Sequence, residues 1–165
     1  MSHDPPIVCV GICNKPNAVK KDTLVNIEAT DEFVVNIISS WFLDAANHCS
    51  GNFAADVDEF KVSGLTPLAS ELVKPPRCAE SAFQMECKLI GKQEIFNAAG
   101  EHTTTIVSGE VIRFHVAKDL IDKKRGEGVP SIRDNAGYAP MGRLGGDTWL
   151  HVDTAKTEDM PRPVV

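Results

Sequence analysis

Two β-rich runs, on either side of a short turn, constrain this chain more than any other feature of its sequence. Across residues 81–89 the alternation is strict. Phe83, Met85, Cys87 and Leu89 fall on one side, and Gln84, Glu86 and Lys88 on the other. That is the pattern of a strand with one buried and one wet face. Residues 97–101 carry turn chemistry. Residues 103–117 form a longer β-rich run containing Gly109, and a glycine inside a strand permits a bulge or a close backbone approach. Residues 32–39 are also dense in β-formers, with Phe33, Val34, Val35, Ile37 and Ile38. Residues 7–12 are apolar on both faces, which predicts a strand buried on both sides.

Helices are few and short. Residues 22–31 predict one, capped by Asp22 or Thr23, with Leu24, Ile27 and Val25 as its buried stripe and Asp31 at its end. Ser40 is a fair cap for a second over residues 41–49. Residues 53–76 alternate apolar patches with turn residues. Many strands with two or three short helices predict an all-β-dominated fold, a barrel or sandwich with helical insertions.

The chain has 165 residues, enough for one domain with a real core. Its expected extent is residues 1–152, followed by a loose polar tail over 153–165. A net charge of -6 and a pI of about 5.3 argue against general nucleic-acid binding. No apolar run is long enough for a membrane span and the start, MSHDPP, is not a signal peptide, so the expected location is cytoplasmic. The five cysteines are odd in number and form no CxxC, so free thiols are expected. Cys9 and Cys87, in apolar or alternating runs, read as small buried hydrophobes.

No metal motif is present, and Asp56, Asp58 and Glu59 read as a solvated loop. There is no G-x-S-x-G elbow, Walker sequence or GxGxxG, so no catalytic residue is named. Two clusters carry possible binding chemistry. Lys20-Lys21-Asp22-Thr23 precedes the first helix, where backbone N–H groups, a lysine and a hydroxyl suit an anion. Gly142-Arg143-Leu144-Gly145-Gly146-Asp147 combines permissive backbone with an arginine that suits phosphate or carboxylate. Each has a plainer reading, solvated lysines for the first and a flexible turn for the second.

Ordered blocks along residues 4–150 resemble the flavin-reductase-like family, the FMN-binding split barrels. They include Asp4-Pro5-Pro6-Ile7-Val8, Lys21-Asp22-Thr23-Leu24-Val25-Asn26-Ile27 and Glu32-Phe33-Val34-Val35-Asn36. Asp58-Glu59-Phe60, Gly64-Leu65-Thr66, Pro75-Pro76-Arg77 and Glu80-Ser81 follow. Glu86-Cys87-Lys88-Leu89, Gly109-Glu110-Val111 with His115, and Arg143-Leu144-Gly145-Gly146 complete the series.

The resemblance implies a closed six-stranded Greek-key barrel, paired as a homodimer, with FMN near the subunit interface. It also implies that about fifty residues usual in the family are missing ahead of Asp4, leaving an edge that a partner or local segment must cover. On this resemblance Lys21 supplies charge to the FMN phosphate, Thr23 a hydroxyl donor and Asn26 a ribityl partner. Asp22 caps the helix and orients its neighbours. Arg143, Gly145 and Gly146 shape the nucleotide or ring end, and His115 lies near the substrate side or serves the structure.

The implied activity is that of an FMN-dependent oxidoreductase. It would pass hydride from NADH or NADPH to flavin, or through flavin to a small organic substrate, and could supply a partner monooxygenase. Two alternatives stand beside it: a flavin-binding or assembly protein without turnover, and a biosynthetic flavoenzyme acting on a specific metabolite.

Overall fold

The computed structural model describes residues 4–121, 138–145 and 147–152. The expected tail over 153–165 lies outside them. The central sheet has four antiparallel strands in the order β1-β6-β5-β2: β1 (Ile7–Cys13), β6 (His102–Val116), β5 (Phe83–Phe96) and β2 (Glu32–Asn36). The two predicted long runs pair as a hairpin from Phe83↔Val116 to Phe96↔His102, closed by a turn in which Gly100 takes φ 79. Two ribbons stand beside the sheet: β3 (Pro67–Leu68) with β4 (Arg77–Cys78), and β7 (Met141–Gly145) with β8 (Thr148–His151). Among the described residues the sheet is open, with β1 and β2 as edges, and holds four of the six strands that a closed barrel of this kind would have. The ribbons make their own ladders and do not extend it.

The first helix, α1 (Asp22–Thr30), falls where the periodicity puts it. It ends because Asp31 adopts the left-handed conformation, φ 55 and ψ 22, and returns its N–H to the Ile27 carbonyl at 2.8 Å. Leu24 and Ile27 are buried, whereas Val25 faces out at 47% exposure. Ser40–Phe42 is a 3-10 turn leading into α2 (Leu43–His48), and Ser40 does not cap it. An unanticipated helix, α3 (Glu59–Ser63), begins at Asp58, whose carboxylate accepts the Phe60 N–H at 3.1 Å, and stops at Gly64 with φ 74.

Leu24 and Ile27 pack on one face of the sheet with Val8, Ile12, Phe33, Met85, Cys87, Val107 and Val111. Gly109 sits under the Phe33 ring. A Cβ there would lie 2.3 Å from the ring's Cζ, so this glycine serves close approach. Strand β1 departs from expectation: it is an edge, and only Val8 and Ile12 are buried. Cys9 is consequently exposed, while Cys87 is fully buried as expected. All five cysteines are free.

The opposite face of β5 was expected to be wet. Instead Gln84 is 5% exposed and Glu86 0%. The segment 69–78 lies over them and satisfies their polar atoms. Glu86 accepts backbone N–H groups from Glu71 at 2.9 Å, Leu72 at 2.7 Å and Val73 at 3.1 Å. The His115 Nε2 lies 2.6 Å from the same carboxylate, and the Arg77 Nε at 4.0 Å. Gln84 donates to the Cys78 and Ser81 carbonyls at 2.8 and 2.7 Å and accepts from Arg77 at 3.0 Å. Burial by itself would push the Glu86 carboxyl up. The N–H groups of Glu71 and Leu72, then His115 and Val73, reverse that and hold it down at about 2.

Two predictions follow from this packing. Gly109→Ala drives a methyl into Phe33 and should lower the unfolding free energy by about 1–3 kcal/mol, the usual penalty for overpacking. Chemical denaturation should also show part of that loss recovered when Phe33→Leu is added, since the two sites are in contact. The Glu86 carboxyl titrates lower in the folded chain than in the unfolded one, so its stabilisation is complete above the ordinary carboxylate range and fades as pH falls toward about 2. Urea unfolding between pH 7 and pH 2.5 should show a loss of roughly 2 kcal/mol from this group. Glu86→Gln should be less stable at neutral pH and should lack that part of the acid dependence.

Candidate functional site

The start of α1 is uncapped by any side chain. Lys21 occupies the position before the first helical residue, with φ -68 and ψ 150, and its carbonyl accepts from Leu24 at 2.9 Å and Val25 at 3.2 Å. Asp22 and Thr23 are thus the first helical residues, not caps. Their N–H groups have no acceptor one turn earlier in the helix. Asp22 is instead turned toward Lys15, with 3.0 Å between Nζ and Oδ2. The strand and loop ahead of α1 bring that lysine back to the helix start.

Lys21, Asp22, Thr23 and Asn26 line one groove of about 340 Å3, together with Lys15, the loop Ser50-Gly51-Asn52, Cys49 and residues of α3. Four of the eight residues singled out in the sequence therefore meet at one place. Gly51 is close to its neighbours there: a Cβ would come 3.0 Å from the Phe53 ring and 3.3 Å from the His48 carbonyl, so a side chain at this position needs Phe53 to shift. The lining donors are the Lys21 ammonium, the Thr23 hydroxyl and the side-chain amides of Asn26 and Asn52, while Lys15 is paired with Asp22 and the Ser50 hydroxyl donates to the Asn47 carbonyl at 2.7 Å.

Carboxylates also line the groove, and their partners decide its electrostatics. Asp22 is paired with Lys15, and Asp58 with Lys61 at 3.3 Å. Burial, then the charge of Asp22, pushes the Glu59 carboxyl up, with Lys15 and Lys21 pulling it back by less. Among the described residues Lys21 has no ion-pair partner, so its charge is available to a ligand. The helix end adds partial positive charge at the same spot. This donor set fits a phosphate ester with a hydroxylated chain attached.

A second groove, of about 530 Å3, adjoins the first through Thr23, Asn26 and Phe60. It runs along α1 past Ile27 and Thr30 and is walled by β2 residues and by Lys74, Pro75 and Pro76. Its lining is mainly apolar, suited to a flat ring. The two grooves together offer a polar, donor-rich end and an apolar end that meet at Thr23, Asn26 and Phe60.

The remaining candidates lie elsewhere. His115 is on β6 against Glu86 and lines neither groove. Arg143 is on the β7–β8 ribbon, its guanidinium 5.2 Å from the Trp149 ring centre, and Gly145 ends the first strand of that ribbon. Neither lines the two grooves. Gly146 lies outside the described residues. The sequence alone did not place Lys15 or the loop Ser50-Gly51-Asn52 in a site, and Asp58 and Glu59 read as a solvated loop. The capping sequence from Asp58 to Gly64 was the available signal for α3. Among the described residues no helix is long and apolar enough to cross a membrane. No group of His, Cys, Asp and Glu among them is placed to hold a metal ion.

Comparison with known proteins bears on this geometry. A family model described as the flavin reductase like domain matches residues 1–136. An uncharacterized protein of Aquifex aeolicus is 30% identical over 91% of this chain and 70% of its own length. The crystal structure of nitrilotriacetate monooxygenase component B from Bacillus cereus aligns with TM-score 0.83 and 27% identity, covering 97% of this chain and 74% of that one. A split-barrel protein of Shewanella frigidimarina, assigned to the flavin reductases, shares the fold with TM-score 0.78 at 22% identity, over 99% of this chain and 74% of its own. The long β5–β6 hairpin, the flanking strands and α1 are therefore the framework of a split barrel, and the chain belongs to the flavin reductase-like family of flavin-linked oxidoreductases.

Proposed function

We propose that this protein is an FMN-dependent oxidoreductase of the flavin-reductase type, with NADH or NADPH as electron donor. The observation that carries the reading is Lys21, without a carboxylate partner among the described residues, beside an uncapped helix start in a polar groove that opens into an apolar one. Lys21 supplies the charge for the FMN phosphate, with the Thr23 hydroxyl and the first N–H groups of α1 as further donors. Asn26, shared by both grooves, reaches the ribityl chain. Asp22 acts indirectly by holding Lys15 at the groove edge. The flavin ring, once bound, supplies the hydride chemistry, and the protein's part is to orient the ring and keep water from it.

The likeness to a component of a monooxygenase supports a role as the reductase that serves a partner monooxygenase. Five free cysteines suit the reducing cytoplasm. The family resemblance supports a homodimer, with Arg143, Gly145 and Gly146 contributing to the nucleotide or ring end.

Lys21→Ala should weaken FMN binding by roughly ten- to hundredfold, the worth of one charged hydrogen bond. Riboflavin, which lacks the phosphate, should bind both proteins alike. Because the cap at position 21 is made by the backbone carbonyl, apo-protein stability should change by less than about 0.5 kcal/mol. Fluorescence titration of both ligands and thermal unfolding read these effects, and equal losses for the two ligands would remove Lys21 from the phosphate site. Anaerobic addition of NADH or NADPH to the FMN-loaded protein should bleach the flavin absorbance. A bound flavin that stays oxidised would reject the reductase activity.

A further inference from the structure

We propose that His115 and Glu86 are positioning residues for the apolar groove: they latch residues 71–76 against the sheet, and the latched segment forms the groove's outer wall. The segment has little apolar anchorage of its own, since Glu71, Leu72 and Lys74 are exposed and only Val73 is buried. Its position comes from backbone donors aimed at two sheet carboxylates. Glu86 receives the N–H groups of Glu71, Leu72 and Val73, and Glu32 receives that of Lys74 at 2.8 Å. Lys74, Pro75 and Pro76 then line the groove together with Glu32 and residues of α1.

His115 secures the carboxylate that secures the segment. Its Nε2 is 2.6 Å from Glu86 Oε1, the oxygen that also accepts from Glu71. Its Nδ1 is 3.9 Å from the Glu71 carboxylate, which Arg113 meets at 3.4 Å. The imidazole thus stands between the sheet and the segment and fixes the orientation of Glu86, so that the three N–H groups find their acceptors. The side chain is 13% exposed and turned into this network, which accounts for a histidine in the resemblance without placing it on a ligand.

The coupling to ligand binding rests on the flavin reading above, and the test separates the two. In His115→Leu, amide hydrogen exchange at Glu71, Leu72 and Val73 should accelerate about tenfold or more, while Val107 and Val111 in β6 keep their protection. His115→Gln retains an N–H donor and should restore most of the protection. Should the leucine variant not fold, Glu86→Gln gives the same readout at Leu72 and Val73. Riboflavin and FMN should both bind His115→Leu more weakly by the same factor, unlike Lys21→Ala, because the ring wall and not the phosphate contact is displaced.

Unchanged exchange at residues 71–73 overturns the latch. Faster exchange with undiminished riboflavin binding overturns its link to the groove. A wild-type protein that binds neither flavin overturns the flavin reading, and the exchange arm then decides the latch alone.

Discussion

The carboxylate of Glu86 is the interaction on which the arrangement of this molecule turns. It is fully buried on the sheet face opposite the apolar core. A buried carboxylate is costly unless its lone pairs are satisfied. Here three consecutive backbone N–H groups and an imidazole satisfy them. The same bonds answer a second requirement, since the exposed segment carrying those N–H groups has no ladder of its own between β3 and β4. One acid therefore seals one face of β5 and gives a loop its fixed position.

Strand β2 sits between the two consequences. On one side α1 lays Leu24 and Ile27 into the core with Phe33, tightly enough that only glycine is accommodated at position 109. On the other, the segment 69–78 closes over Asn36 and Glu86, with Asn36 accepting the Cys78 N–H at 2.9 Å. The apolar groove is the gap left around the β2 edge between helix and segment. The polar groove lies beyond the N-terminus of the same helix. A single short helix, held by two buried side chains, thus presents its dipole end to one groove and its flank to the other.

That layout suits a family whose cofactor performs the chemistry. A flavin needs to be held, oriented and shielded. The two grooves offer donors at one end and flat apolar walls at the other. Two of the carboxylates among the donors have lysine partners, Asp22 with Lys15 and Asp58 with Lys61, while burial, then the charge of Asp22, raises the Glu59 carboxyl above its ordinary value. Lys21 lines the same groove without an ion-pair partner among the described residues.

Local pattern alone determined the strands, the helix and its end. Alternation with period two marks β5 and β6, and apolar spacing marks α1 up to Asp31, because these depend on geometry a few residues long. Lys21, Asp22, Thr23 and Asn26 could be placed together for the same reason: they are neighbours on one helix start. Only the tertiary structure decided which faces are covered. Gln84 and Glu86 carry the pattern of a wet face, yet donors thirteen to fifteen residues earlier dry Glu86. Residues 7–12 carry the pattern of an interior strand, yet β1 is an edge because nothing among the described residues pairs on its far side. The grouping of Ser50-Gly51-Asn52 with Lys21, and the assignment of His115 to Glu86 and not to a groove, are likewise long-range outcomes. Periodicity records which side a residue points to. Whether that side meets water or another part of the chain is decided by packing between segments distant in sequence, which no local pattern encodes.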